Sequence, residues 1–129
     1  MKALDTNVLV RIFVDDDTQV GQLKLARQFA KKHHPLFIPQ IVQVELVWVL
    51  ESAYDFNKVE VLKVLKHLQE NGAFALQQET QFESAIISFQ ESNADFSDCL
   101  ILASSKEAKC EVITLDKKFS KLQGVSLLV

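Results

Sequence analysis

The sequence predicts an α/β fold: a three-layer α/β/α arrangement in which a short, roughly five-stranded parallel sheet is flanked by helices. Three observations predict it. Strand-like pieces of a few residues alternate with helical stretches along the whole chain. Only 3 Gly and 2 Pro occur in 129 residues, which leaves few positions for long loops. The chain is 48% hydrophobic, enough for a core and too apolar for a disordered polymer. At this length one domain covering residues 1–129 is expected.

The elements follow in order. Lys2 to Asp5 reads as a short strand. Thr6 to Val14 reads as a helix, with Leu9, Ile12 and Phe13 at helical spacing. The run Asp15-Asp16-Asp17 makes a turn, and Asp16 with Gln19 three residues later predicts a capping box opening a helix from Asp17 to Lys32. Leu36-Phe37-Ile38 is a second strand. Pro39 suits the start of a helix running from Gln40 to Tyr54. Lys58 to Glu70 is amphipathic, with Val61, Leu62, Leu65 and Leu68 on one face, and Asn71-Gly72 stops it. Ala73 to Leu76 is a third strand, and Glu79 to Gln90 and Asp95 to Ala108 are helices. Glu111 to Thr114 is a fourth strand, Lys117 to Lys121 a short turn, and Val125 to Val129 a fifth strand. In parallel sheets of this kind, ligands sit at the carboxyl ends of the strands.

Composition excludes several classes. No uncharged apolar run approaches the roughly 18 residues of a membrane span. Asp5 falls where a signal peptide would carry its apolar stretch, so a cytoplasmic protein is expected. The two cysteines, Cys99 and Cys110, do not make a disulfide framework and are expected as thiols. The net charge of −3 argues against a nucleic-acid partner only while every acid is free. Two divalent cations held by carboxylates would carry that charge from −3 to +1 and leave lysines for phosphate.

Four acids are the candidates for such a site. Asp5 ends the first strand and either caps the following helix or serves as a ligand at the sheet edge, with Thr6 and Asn7 as supporting polar groups. Glu45 has Ile41, Val42, Trp48 and Val49 one helical turn away, so it is not expected on a solvated stripe. An unpaired buried carboxylate costs several kcal/mol, and no Lys or Arg lies between Pro39 and Leu50 to offset it. Asp95 and Asp98 have the spacing of an N-cap and its N3 residue. Ile101 and Leu102 on the next turn mark Asp98 as the inward ligand and Asp95 as a cap or outer ligand. Asp116 lies just past the strand ending at Thr114. Four carboxylates in one pocket cannot all stay ionised without cations. Oxygen ligands suit Mg²⁺ or Mn²⁺, and His33, His34 and His67 do not have the spacing of a zinc site.

At these residues the chain resembles the PIN-domain family, and most closely its VapC-type toxins from bacterial toxin–antitoxin pairs. The matching pieces are Leu4-Asp5-Thr6-Asn7-Val8-Leu9-Val10-Arg11, Val44-Glu45-Leu46-Val47-Trp48, Ala94-Asp95-Phe96-Ser97-Asp98-Cys99-Leu100-Ile101 and Thr114-Leu115-Asp116-Lys117-Lys118-Phe119, in the family's order. The resemblance implies a ribonuclease using one or two Mg²⁺ or Mn²⁺ ions on Asp5, Glu45, Asp98 and Asp116. Thr6, Asn7, Asp95 and Thr114 would steady those acids. It also implies a homodimer and a cognate antitoxin as partners. Ser97, Cys99 and Leu100 depart mildly from the family pattern.

Expected mechanism is hydrolysis of an RNA phosphodiester, with the carboxylates as metal ligands. Arg11, Lys117, Lys118 and Lys121 are the candidates for RNA phosphate contacts. Two competing readings stay open. One is a non-catalytic binding protein of the same fold whose acids hold a structural cation. The other is a receiver-like phosphotransfer domain, weakened because Asp5 is followed by Thr-Asn and no Asp ends the third strand.

Overall fold

All strand pairing is parallel, as the alternation of short strands with helices predicts. The computed structural model describes residues 1–129, which divide into two units, residues 1–77 and residues 78–129. No helix is long and apolar enough to cross a membrane.

In the first unit, β1 (Lys2–Ala3), β2 (Leu36–Ile38) and β3 (Phe74–Leu76) form a sheet in that order. Lys2 pairs with Leu36, and Ile38 with Leu76. The central strand is the buried one: Leu36 and Ile38 have no exposed surface. A parallel strand covered on both faces needs such a run of apolar residues. Four helices accompany the sheet: α1 (Thr6–Phe13), α2 (Val20–Lys32), α3 (Gln40–Ser52) and α4 (Lys58–Glu70). On α1 the buried side chains are Leu9 and Val10, and on α4 they are Val61, Val64, Leu65 and Leu68.

Two helix starts differ from expectation. Asp16 forms no capping box with Gln19; their one bond is from the Gln19 N–H to the Asp16 carbonyl, at 3.0 Å. Its carboxylate accepts from the backbone N–H of Thr18 at 2.9 Å and from the Thr18 hydroxyl at 2.6 Å. Two donors two residues away close a tighter turn than one donor three residues away. A 3₁₀ turn (Asp17–Gln19) results, and α2 begins only at Val20. The capping box lies instead at α4. There Asn57 accepts from the Glu60 N–H, and the Glu60 side chain accepts from the Asn57 N–H.

The second unit begins with α5 (Glu79–Glu91) and α6 (Phe96–Glu107). Phe96, at the start of α6, meets Phe82 and Phe89 of α5 edge-on, with ring centroids 5.9 Å and 5.8 Å apart. Such pairs add to the area they bury. Strands β4 (Val112–Thr114) and β5 (Val125–Leu127) form a second parallel sheet, with Thr114 opposite Leu127. Gly124, at φ +92° just before β5, has the conformation that glycine alone adopts freely. The five expected strands are therefore all present, hydrogen-bonded as three and two rather than as one sheet of five.

Candidate functional site

In the first unit, Asp5 sits at the carboxyl end of β1 and caps α1. Its Oδ1 accepts from the Val8 N–H at 3.2 Å, and the residue is exposed. The cap uses one carboxylate oxygen and leaves the other available. Next to it, the Thr6 hydroxyl donates to Glu45 Oε1 across 3.0 Å, tying the start of α1 to the middle of α3. Asn7 is exposed beside Asp5.

Glu45 corrects the sequence reading in one respect: it is exposed, not buried. Its apolar neighbours Ile41 and Trp48 share its face and are themselves 65% and 67% exposed. Helix α3 is apolar almost all round, so periodicity alone does not say which face is buried. The polar residue that α3 does bury is Gln43, which has no exposed surface. Its Nε2 donates to the carbonyl of Ile38 at 3.1 Å and to that of Gln77 at 2.9 Å, while its Oε1 has no partner. One amide thus holds the chain where it leaves β2 and β3. Gln77 adds a second tie by accepting from the Gln40 N–H at 2.8 Å. Sequence reasoning passed over Gln43; its signal was a polar residue beside Val42, Leu46 and Val47, the residues that α3 buries.

Arg11, a candidate for RNA contact, is engaged within this unit. Its Nε donates to Gln22 Oε1 and its Nη1 to the Tyr54 hydroxyl, both at 2.9 Å. The Tyr54 hydroxyl in turn donates to Asp16 Oδ2 at 2.7 Å. The Thr18 hydroxyl, then Tyr54, hold the Asp16 carboxyl below its usual range. The bond to Asp16, aided by burial, pushes the Tyr54 hydroxyl up. An open groove of about 700 Å³ runs alongside, lined by Asp5, Val8, Arg11, Leu25 and Phe29 among others.

In the second unit, Asp95 is the N-cap residue of α6 but makes no side-chain capping bond. Asp98 lies in the first turn and is half-buried. Asp116 follows β4 and is exposed. Its Oδ1 accepts from the N–H groups of Lys118 at 2.8 Å and Phe119 at 3.3 Å, while its own N–H donates to Thr114 Oγ1 at 3.0 Å. Thr114 therefore steadies the turn that carries Asp116. Burial pushes the Asp98 carboxyl above the usual range, and the negative charges of Asp95 and then Asp116 push it the same way. The three acids thus share one electrostatic neighbourhood. Lys117, Lys118 and Lys121 are all exposed beside Asp116.

None of Asp5, Glu45, Asp98 and Asp116 pairs with a lysine or arginine; Arg27 pairs with Asp15, at 2.9 Å. No three His, Cys, Asp or Glu side chains are drawn within reach of one ion. The donor chemistry nevertheless suits a hard cation. It consists of carboxylate oxygens, among them those of Asp98, where burial and then like charge disfavour the ionised form. Two of the three histidines pack on aromatic rings: His33 stacks on Phe29, and His67 meets Phe13 edge-on.

The sequence pattern of the PIN domain matches residues 2–125, and the chain belongs to that family. It is similar to the VapC ribonuclease of Aquifex aeolicus (strain VF5), with 27% identity over 124 residues, 95% of this chain and 92% of that protein. Among solved structures, a toxin–antitoxin complex from Klebsiella pneumoniae superposes with a TM-score of 0.42 at 20% identity. That match covers 97% of this chain and 95% of the other.

Proposed function

We propose that this PIN-domain protein is a Mg²⁺- or Mn²⁺-dependent endoribonuclease, the toxin of a toxin–antitoxin pair, with residues 1–129 acting as one catalytic domain. The observation that carries the reading is that Asp5, Glu45, Asp98 and Asp116 all lack a lysine or arginine partner, while burial and then the charges of Asp95 and Asp116 disfavour the Asp98 carboxylate. The similarity to a VapC ribonuclease along 95% of the chain supports the same reaction class.

Asp5, Glu45, Asp98 and Asp116 are the metal ligands in this reading. Bound to such oxygens, Mg²⁺ or Mn²⁺ supplies a water of lowered pKa and a counter-charge for the departing oxygen. The chain's own residues orient the ligands. Thr6 holds one oxygen of Glu45, the start of α1 holds one oxygen of Asp5, and the turn at Lys118 and Phe119 holds one oxygen of Asp116. Each acid keeps a second oxygen for the cation. Thr114 steadies Asp116 through the backbone, and Asn7 and Asp95 stand beside the ligands. Lys117 and Lys118 meet RNA phosphates next to the site. Arg11 serves this surface by holding Tyr54 and Gln22 rather than by reaching outward. The groove beside Asp5, with Leu25 70% exposed along it, favours an antitoxin segment that is partly apolar. The working form is a cytoplasmic homodimer, and light scattering at micromolar concentration checks its size.

The test is cleavage of end-labelled single-stranded RNA. Wild-type protein is expected to cut with Mg²⁺ or Mn²⁺ and to stop in excess chelator. Asp5→Asn and Asp98→Asn are expected to be inactive. Cutting that survives both substitutions, or the chelator, overturns the assignment. A protein that binds Mn²⁺ through these acids and never cuts RNA is a binding protein of the same fold.

A further inference from the structure

We propose that Gln43 is a positioning residue for RNA cleavage: its buried amide fixes how α3 sits on the ends of β2 and β3, and so where the Glu45 carboxylate stands. This rests on the ribonuclease reading above. Helix α3 is apolar almost all round, and burial has no direction. Apolar packing alone therefore sets the roll and slide of the helix only loosely. Hydrogen bonds are directional, and α3 has one fully buried amide to supply them. The Gln43 Nε2 donates to the Ile38 carbonyl at 3.1 Å and to the Gln77 carbonyl at 2.9 Å. Ile38 ends β2 and Gln77 directly follows β3. The two are tied to each other as well, because the Gln77 N–H donates to the same Ile38 carbonyl at 3.0 Å. A single acceptor would leave α3 a pivot. Two acceptors, on neighbouring parallel strands, set both its roll and its slide.

Glu45 follows two residues later, about 200° round the helix from Gln43. The amide is therefore buried while the carboxylate is exposed, and the helix between them moves both as one body. A shift of α3 at Gln43 passes undiminished to Glu45. There the carboxylate has a fixed mark to meet, the Thr6 hydroxyl, which donates to its Oε1 at 3.0 Å. That distance is at the long end for a hydroxyl donor, so a small outward shift breaks the bond. A displacement of about 1 Å at a reacting centre costs on the order of a hundredfold in rate. The amide is also a costly way to hold a helix. Its Oε1 is buried without a partner, a cost that an apolar side chain of the same length would not carry. What the amide adds over such a side chain is direction, and the group on α3 that needs direction is Glu45.

The test is a double-mutant cycle on cleavage of single-stranded RNA in Mg²⁺, read at a temperature where each variant is folded. Gln43→Met has nearly the length of glutamine and no donor. It is expected to lower kcat about ten- to hundredfold and to leave KM nearly unchanged. Thr6→Val acts on the same carboxylate, so the double variant is expected to be little slower than the slower single one. Gln43→Asn keeps an amide on a side chain one methylene shorter and is expected to fall between Gln43→Met and wild type. A kcat equal to wild type in Gln43→Met overturns the proposal, and so does a loss carried by KM with kcat intact. A double variant whose loss is the product of the two single losses also overturns it, because the two residues then act independently. Where Gln43→Met does not fold, Gln43→Asn takes its place in the cycle under the same outcomes. Failure of both to fold assigns the amide to stability alone and overturns the proposal. In each of these cases cleavage by the wild type keeps the nuclease reading; if wild-type protein does not cut at all, that reading fails instead and takes this one with it.

Discussion

The acids of the two units are held in different ways. In the first unit, Asp5 and Glu45 are exposed, and each gives one oxygen to a neighbouring donor, the Val8 N–H and the Thr6 hydroxyl. In the second, Asp98 is half-buried, and burial, Asp95 and Asp116 all disfavour its charge. One unit orients carboxylates; the other accumulates negative charge. Orientation costs little and persists without a cation, whereas crowded charge is relieved only by a cation or a proton. A cation, where one binds, would therefore relieve Asp98 in the second unit, whereas Asp5 and Glu45 in the first are already oriented without one.

The sharpest test of that contrast is Asp98→Asn. Cleavage should fall by at least about a hundredfold, as when a group facing the reacting charge is removed. The same substitution should raise the melting temperature in chelator, because a disfavoured charge is gone, and should shrink the rise that Mn²⁺ gives the wild type. Calorimetry with and without Mn²⁺ reads both. A melting temperature lowered in chelator would mean that Asp98 is stabilised by its surroundings, and the contrast fails.

Gln43→Leu tests the orienting side through its scaffold. It leaves the carbonyls of Ile38 and Gln77 without their donor, at about 1–3 kcal/mol each. Urea unfolding should show the loss. Hydrogen exchange should place it at the ends of β2 and β3 and leave α5 and α6 protected as before.

Thr6→Val is smaller. It removes the donor to Glu45 with little change of volume, so stability should change by less than about 1 kcal/mol. Cleavage should fall about tenfold, in line with the loss of a group that steadies a metal ligand. Rates equal to wild type would show that Glu45 needs no such support.

Tyr54→Phe has the smallest expected effect, a modest loss of stability at neutral pH that fades toward both extremes. The Asp16 carboxyl is held below its ordinary 3.8, so its stabilising effect is present above that value and lost as pH falls through its folded value. The Tyr54 hydroxyl is held above its ordinary 10.0, so its effect is present below that value and lost as pH rises through its folded value. Without the shared bond, stability should fall less steeply below pH 4 and above pH 10. Chemical unfolding at a series of pH values measures the slopes.

The sequence by itself determined the order of strands and helices and the placing of Asp5 and Asp116 just past strand ends. These follow from local rules: short apolar runs, helical spacing, and polar residues where one element stops and another starts. Membership of the PIN domain family agrees with that reading. Only the tertiary structure decided which face of α3 is buried, because Ile41, Val42, Leu46, Val47, Trp48 and Leu50 offer apolar surface all round the helix. Packing buries Gln43 and turns Ile41, Glu45 and Trp48 outward. It also decided that Arg11 faces Tyr54 and Gln22, and that the strands pair as three and two. Each of these depends on what a side chain or strand edge meets from distant parts of the chain, and no local spacing carries that information.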